Sequence, residues 1–164
     1  QAIKEAGLKP GTDIKIVSID AVPDIFLAMA AGEANATVEL TPNMAGPAFD
    51  ALEALAEQGR TFDVVVCDPP AFAPSKPALE KGLRAYERVA KMAAPLVAPG
   101  GYLVLCSCSH AADLTAFRNV SARGIGRGGR RGVLIHTGQA GPDHPTLPQL
   151  VETGYLKALF FRLD

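Results

Sequence analysis

The sequence predicts a three-layer α/β sandwich around a mostly parallel sheet of six strands. Three observations carry this. Short β-branched runs bounded by turn residues alternate with longer stretches of helical spacing. The strongest run, Phe62-Asp63-Val64-Val65-Val66-Cys67, is apolar almost throughout, as a central parallel strand covered on both faces must be. The last two strand-like runs have no helix between them, so the final strand is expected to run antiparallel. Such alternation gives a Rossmann-like sheet with right-handed crossovers and helices on both faces. The expected strand order is 2-1-3-4-6-5.

The elements follow from local chemistry. Residues 2–6 form a short helix closed by Gly7 and the Lys9-Pro10-Gly11 turn. Residues 13–20 (DIKIVSID) are the first strand. Val22-Pro23-Asp24 opens a crossover helix with proline in its first turn, and Gly32 stops it. Residues 36–40 (ATVEL) are the second strand. Thr41-Pro42-Asn43 starts a helix carrying Phe49, Leu52 and Leu55 at helical spacing, and Gly59 ends it. After the third strand, residues 79–97 are helical with an interruption at Pro95. Pro99-Gly100-Gly101 turns into a second central strand, residues 102–106. Residues 111–120 are a helix, and the Gly/Arg-rich residues 124–132 are a loop. Residues 133–136 are a strand, 138–148 a Pro/Gly loop, and 155–162 (YLKALFFR) the closing strand.

Composition bounds the function. The chain has 164 residues, 48% hydrophobic and 20% charged, which suits one globular domain and excludes a disordered tail or a fibre. A net charge of −1 argues against nucleic-acid binding through bulk charge. No apolar run is long enough to cross a bilayer. Three cysteines, Cys67, Cys106 and Cys108, two of them in one apolar run, suit a reducing compartment better than a disulfide framework. The expectation is a cytoplasmic, recombinantly expressed protein without a signal peptide. His110, His136 and His144 lack metal-ligand spacing and no Cys-x-x-Cys occurs, so no metal is expected.

In parallel α/β sheets, ligands bind beyond the carboxyl ends of the strands. Asp20, Glu39, Asp68 and the Ser107-Cys108-Ser109 turn fall there. Asp68-Pro69-Pro70 has two prolines that stiffen a strand-end loop around a carboxylate. The arginines Arg118, Arg123, Arg127, Arg130 and Arg131 could track phosphates, but a solvated loop ahead of a strand is the plainer reading.

Two blocks, Phe62-Asp63-Val64-Val65-Val66-Cys67-Asp68-Pro69-Pro70-Ala71-Phe72 and Gly100-Gly101-Tyr102-Leu103-Val104-Leu105-Cys106-Ser107-Cys108-Ser109-His110, carry a resemblance. Residues 138–145 and 155–159 fit with them. From about residue 49 onward the chain resembles class I S-adenosylmethionine-dependent methyltransferases, nearest to the ribosomal RNA cytosine-5 type. Residues 1–7, 16–21 and 32–40 instead resemble the C-terminal lobe of type I periplasmic sugar-binding proteins of the ribose and galactose group. The two resemblances together imply an engineered chimera of two Rossmann-like pieces, residues 1–48 and 49–164, joined in the helix around residues 46–55.

The methyltransferase resemblance implies roles for residues. Cytosine C5 is too weak a nucleophile to accept a methyl group unaided. A thiolate adding to C6 raises electron density at C5, and later elimination frees the enzyme. Cys108, in Ser107-Cys108-Ser109, matches the nucleophile block, and Asp68 and Pro69 match the loop that faces methyl donor and base. The second cysteine of related enzymes falls on Ala71. Cys67 and Cys106 read as small buried hydrophobes. Glu39 stands 19 residues beyond Asp20, where an acid grips a ribose in such folds, so Glu39 and Asp68 are the candidates for touching adenosine. Asp20 matches the aspartate that takes sugar hydroxyls.

Both inheritances are incomplete. A cofactor grip needs a Gly-rich turn after the first strand, where backbone N–H groups approach the ligand closely. Asp20-Ala21-Val22-Pro23-Asp24 has no glycine, loses a donor at Pro23, and sets two carboxylates against the cofactor's own. A sugar cleft needs two walls, and the second lobe is missing. The expectation is therefore a chimeric scaffold that is not an enzyme, with vestigial sites, no cofactor and no partner. The alternative is a methyltransferase using S-adenosylmethionine and RNA with Cys108 as nucleophile. A second alternative is weak residual binding of sugar or adenosine.

Overall fold

The structure is a computed structural model describing residues 2–19, 31, 35–38, 45–141 and 145–164. Asp20, Glu39, His144 and, of the expected first crossover helix, residues 22–30 and 32 lie outside the described residues.

Six strands form one sheet: β1 (Ile16–Ile19), β2 (Ala36–Val38), β3 (Phe62–Cys67), β4 (Val97–Ser107), β5 (Gly132–Gly138) and β6 (Lys157–Leu163). Their order is β2-β1-β3-β4-β6-β5, as the sequence predicts. Pairing is parallel from β2 through β4, and β6 is antiparallel to both β4 and β5. Backbone and side chain both fasten β1 to β3: Lys15 N donates to Asp63 Oδ2 at 2.8 Å, and Asp63 N donates to Lys15 O at 3.0 Å. Asn35 fastens β1 to the start of β2, accepting from Ile16 N at 2.7 Å.

The helices are α1 (Ala2–Glu5), α2 (Ala45–Glu57), α3 (Leu79–Ala93) and α4 (Leu114–Arg127). The connections through α2, α3 and α4 step along the sheet in one direction. Right-handed crossovers of one direction stack their helices on one face. That face holds the core: Phe49 and Leu52 of α2, Tyr86 and Val89 of α3, and Phe117 and Ile125 of α4 pack on Val65, Leu103, Leu105, Leu159 and Phe161. The β1–β2 connection steps the other way, and it is there that the sequence places the opposite layer. Among the described residues, all three long helices lie on one face.

Several boundaries depart from the expectation. Strand β1 starts at Ile16, because Asp13 is drawn into a turn by accepting from Lys9 N at 2.9 Å. The helix before β4 ends at Ala93, a 3-10 turn at Ala94–Leu96 takes up Pro95, and Val97 already belongs to β4. Pro99-Gly100-Gly101 is therefore an irregularity inside β4, with Gly100 at φ 76°, rather than the turn before it. Strand β6 starts at Lys157, after a 3-10 turn at Val151–Gly154.

The largest correction concerns residues 111–132. The helix starts at Leu114, where Asp113 accepts from Ala116 N at 2.7 Å as its N-cap. It continues through the glycines to Arg127, so the expected loop at 124–132 is half helix. Gly124 is a contact surface: a Cβ there would lie 2.5 Å from Glu87 O and 2.7 Å from Ala90 Cβ. The bare backbone lets α4 approach α3 closely, which offsets the poor helix propensity of glycine. Arg123, Arg127, Arg130 and Arg131 have structural partners. Arg123 Nε donates to Glu87 Oε2 at 2.8 Å, and Arg127 pairs with the other Glu87 oxygen. Arg130 donates to the carbonyls of Ala94, Val97 and Asp164, and Arg131 Nε to Asp164 Oδ2 at 2.8 Å.

Candidate functional site

Strands β3 and β4 are parallel neighbours, so their carboxyl ends place two loops side by side. One is Asp68-Pro69-Pro70-Ala71-Phe72-Ala73. The other is Ser107-Cys108-Ser109. Buried hydroxyls lock them together. Ser107 Oγ donates to Tyr86 OH at 3.0 Å, Tyr86 OH shares a 2.7 Å hydrogen bond with Ser109 Oγ, and Ser109 Oγ accepts from Ala73 N at 2.9 Å. Ser109 N donates back to Ser107 Oγ at 3.3 Å. Buried polar groups that are mutually satisfied in this way specify one geometry.

Helix α3 supports the same loop. Its residues Gly82, Tyr86, Val89, Ala90 and Ala93 are buried at three- and four-residue spacing, one face of a helix. At Gly82 a Cβ would sit 2.6 Å from Ala73 Cβ and 2.7 Å from Phe72 O, so only glycine allows this approach. The Phe72 ring packs against Tyr86 with centroids 5.0 Å apart. Burial pushes the Tyr86 phenol up, while its hydrogen bonds to Ser107 and Ser109 pull it down.

Lys157 closes the site from β6. Its Nζ donates to Ser109 O at 2.9 Å and to Tyr155 O at 2.7 Å. Partial burial holds the ammonium below the usual lysine range, and the charges of Cys108 and Asp113 offset this only in part. Outside this corner lies an open cavity of about 500 Å³ lined by His110, Asp113, Thr137, Gln139, Tyr155 and Lys157 among others. The His110 and Tyr155 rings in its lining stack on each other with centroids 4.6 Å apart.

The cysteines divide by environment. Cys67 is fully buried, and burial, reinforced by Cys106 and Asp68, pushes its thiol up. Cys106 is pushed up to about 12 by burial, then by Asp68 and Cys108. Cys108 is half-buried on the turn that Ser107, Ser109 and Lys157 hold. The structure thus brings Asp68, Pro69 and Cys108 to adjacent strand ends, with Asp68 exposed and Pro69 buried. Asp20 and Glu39 lie outside the described residues. Among the described residues, no group of three or more His, Cys, Asp or Glu could hold a metal ion, and no helix is long and apolar enough to cross a membrane.

Tyr86 and Lys157 are the residues that sequence reasoning missed. Period-two alternation puts Lys157 on the face of Leu159, Phe161 and Leu163, all buried. A lysine on a buried strand face was the available signal. Tyr86 sits in the apolar stripe of α3, where its hydroxyl must find a partner.

Comparison with known proteins separates the chain into two parts. The N-terminal part is 75% identical over 59 residues to the galactofuranose-binding protein YtfQ of Escherichia coli (strain K12), covering 36% of this chain and 19% of that protein. The remainder is 36% identical over 114 residues to ribosomal RNA large subunit methyltransferase I of Aeromonas salmonicida (strain A449), covering 70% of this chain and 29% of that protein. The two shares exceed the whole chain, so the matches overlap. The chain spans under a third of either relative. A TehB-like SAM-dependent methyltransferase from Corynebacterium glutamicum superposes with a TM-score of 0.58 over 99% of this chain and 86% of that one, at 12% identity, which shows the fold alone. No protein-family model matches the chain. The chain joins a segment similar to a sugar-binding protein to a segment similar to ribosomal RNA methyltransferases.

Proposed function

We propose that this chain is a chimeric Rossmann-like scaffold that keeps the nucleophile end of an RNA cytosine-5 methyl-transfer site and lacks its methyl-donor end. The locked Ser107-Cys108-Ser109 turn carries the reading. A covalent catalyst needs its thiol on a rigid turn at a strand end, and Ser107, Ser109, Tyr86 and Ala73 supply that rigidity. Asp68 and Pro69 border the same corner, where a pyrimidine would lie.

The residues after β1 do not fit S-adenosylmethionine. Asp20-Ala21-Val22-Pro23-Asp24 offers two carboxylates and a missing N–H where the cofactor's carboxylate needs donors. No methyl-transfer step is assigned to the chain for that reason. The segment similar to a sugar-binding protein covers 19% of that protein, a small part of the two walls a sugar cleft needs. In this reading the seam lies in α2, around residues 46–55, a helix whose Phe49-Asp50-Ala51-Leu52 would suit either parent.

The test is calorimetric titration with S-adenosylhomocysteine, ribose and galactose, beside an assay for methyl transfer from labelled S-adenosylmethionine to ribosomal RNA. Silence in the titrations and no label in RNA are expected. The 36% identity to a methyltransferase favours a second reading, an active RNA cytosine-5 methyltransferase. Micromolar affinity for the nucleoside together with labelled RNA, lost in Cys108→Ala, would establish that reading and overturn the scaffold.

A further inference from the structure

We propose that Lys157 is the positioning and charge-balancing residue for Cys108, its ammonium holding the turn by two carbonyl hydrogen bonds and favouring the thiolate over the thiol. The inference deepens the role given to Cys108 above and rests on that reading of the site.

The geometry is built from three elements. Strand β6 pairs antiparallel with β4, and the last register pair is Ser107 with Lys157. Lys157 therefore starts its strand beside the residue before Cys108, on the buried face of the sheet. From there Nζ reaches past Ser107 to the carbonyl of Ser109, the residue after Cys108, at 2.9 Å. The carbonyl of Tyr155 fixes the same nitrogen from the other side at 2.7 Å. An ammonium has three N–H donors, and the two carbonyls use two. The lysine so held spans the turn that carries the thiol.

The charges around Cys108 come from every neighbouring element. Lys157 from β6 is the cation. Tyr86 from α3 senses the Cys108 charge, and Cys106 on β4 senses both Cys108 and Asp68. Asp113, ahead of α4, acts on Lys157, as Cys108 does. A negative charge on Cys106 or Tyr86 would disfavour a thiolate here, His110 stands two residues on, and the Lys157 ammonium acts in favour of the thiolate. A half-buried lysine beside a thiol lowers that thiol's pKa, because the pair is poorly screened. The side chain also lines the cavity that His110 and Tyr155 border, so the cation that holds the turn also borders the space an incoming base would enter.

The pH dependence of Cys108 alkylation tests this without RNA or methyl donor. The intact chain is treated with iodoacetamide across a pH series, and each cysteine is followed by peptide mass spectrometry. Cys67 and Cys106 serve as internal controls, the first for an intact fold. Lys157→Gln keeps a donor and removes the charge; Lys157→Arg keeps the charge. The Gln variant should raise the Cys108 midpoint by about one unit, hence slow alkylation about tenfold below both midpoints. The Arg variant should stay near the parent. An unshifted midpoint in the Gln variant with Cys67 still protected overturns the proposal. So does an equal rise in both variants, which would make the role one of shape alone. Neither result depends on what the nucleoside or RNA experiments return, so this inference and the functional reading fail separately.

Discussion

The two faces of the sheet are built to different standards. On the helical face, Val65, Leu103 and Leu159 are wholly buried beneath α2, α3 and α4. On the opposite face Tyr102 is 42% exposed, and at the β5 edge Val133 is 69% exposed. Alternation along one strand separates the two: Leu103 and Leu105 are buried beside Tyr102, while Val104 is buried and Cys106 half-buried on Tyr102's side. The site follows the same division. Ser107 and Lys157 project on the helical side, where Tyr86 meets Ser107, and Cys106 lies on the other. The segment similar to methyltransferases thus carries one complete helix–sheet interface, and the Ser107-Cys108-Ser109 turn is anchored in it.

Close approach of α3 and α4 is the most sensitive feature of that interface. Gly124→Leu forces a Cβ to within 2.5 Å of Glu87 O, and backbone cannot move aside as a flexible side chain can. Overpacking there should cost about 3 kcal/mol or more. It should also separate Arg123 and Arg127 from Glu87. Urea denaturation monitored by circular dichroism checks this. A stability within 1 kcal/mol of the parent (about a fivefold change in the folding equilibrium) would break the picture of a glycine-mediated contact.

A matched substitution sharpens the contrast between faces. Valine and threonine have nearly the same shape, so Val→Thr reports mainly on the cost of a hydroxyl. Val65 is wholly buried on β3 under the helices. In an extended strand the Thr hydroxyl finds no carbonyl of a preceding helical turn to bond. Val65→Thr should therefore destabilise by about 2 kcal/mol, the order expected for an unpaired buried hydroxyl. The same denaturation experiment measures it.

Much of this was open to reading from the sequence, and particular residues show why. Phe62–Cys67 is recovered without error because burial on a central strand demands a nearly continuous apolar run, broken here only by Asp63. The strand order followed from which connections contain helices. The 124–132 segment was misread because glycine and arginine are loop-like locally, while Gly124 and Arg123 are chosen by α3, a partner 36 residues away in the case of Glu87. Tertiary contact overrode local propensity there. At the site, Cys108 and Asp68 stood out by motif. Tyr86 and Lys157 did not, because their roles arise only when α3 and β6 are folded against the turn.

The weakest expected effect is the most informative about the open face. Val133 pairs with Arg162 on β6, on the side away from α2, α3 and α4. At 69% exposure its side chain is mostly in water already. A hydroxyl placed there keeps its solvent hydrogen bonds, and threonine is as good a strand former as valine. Val133→Thr should change stability by less than about 0.5 kcal/mol, against about 2 kcal/mol for the same change at Val65. Equal losses at the two positions would mean that β5 is covered in solution by something packing on this face, and a dependence of the Val133→Thr loss on protein concentration would identify that cover as a second copy of the chain.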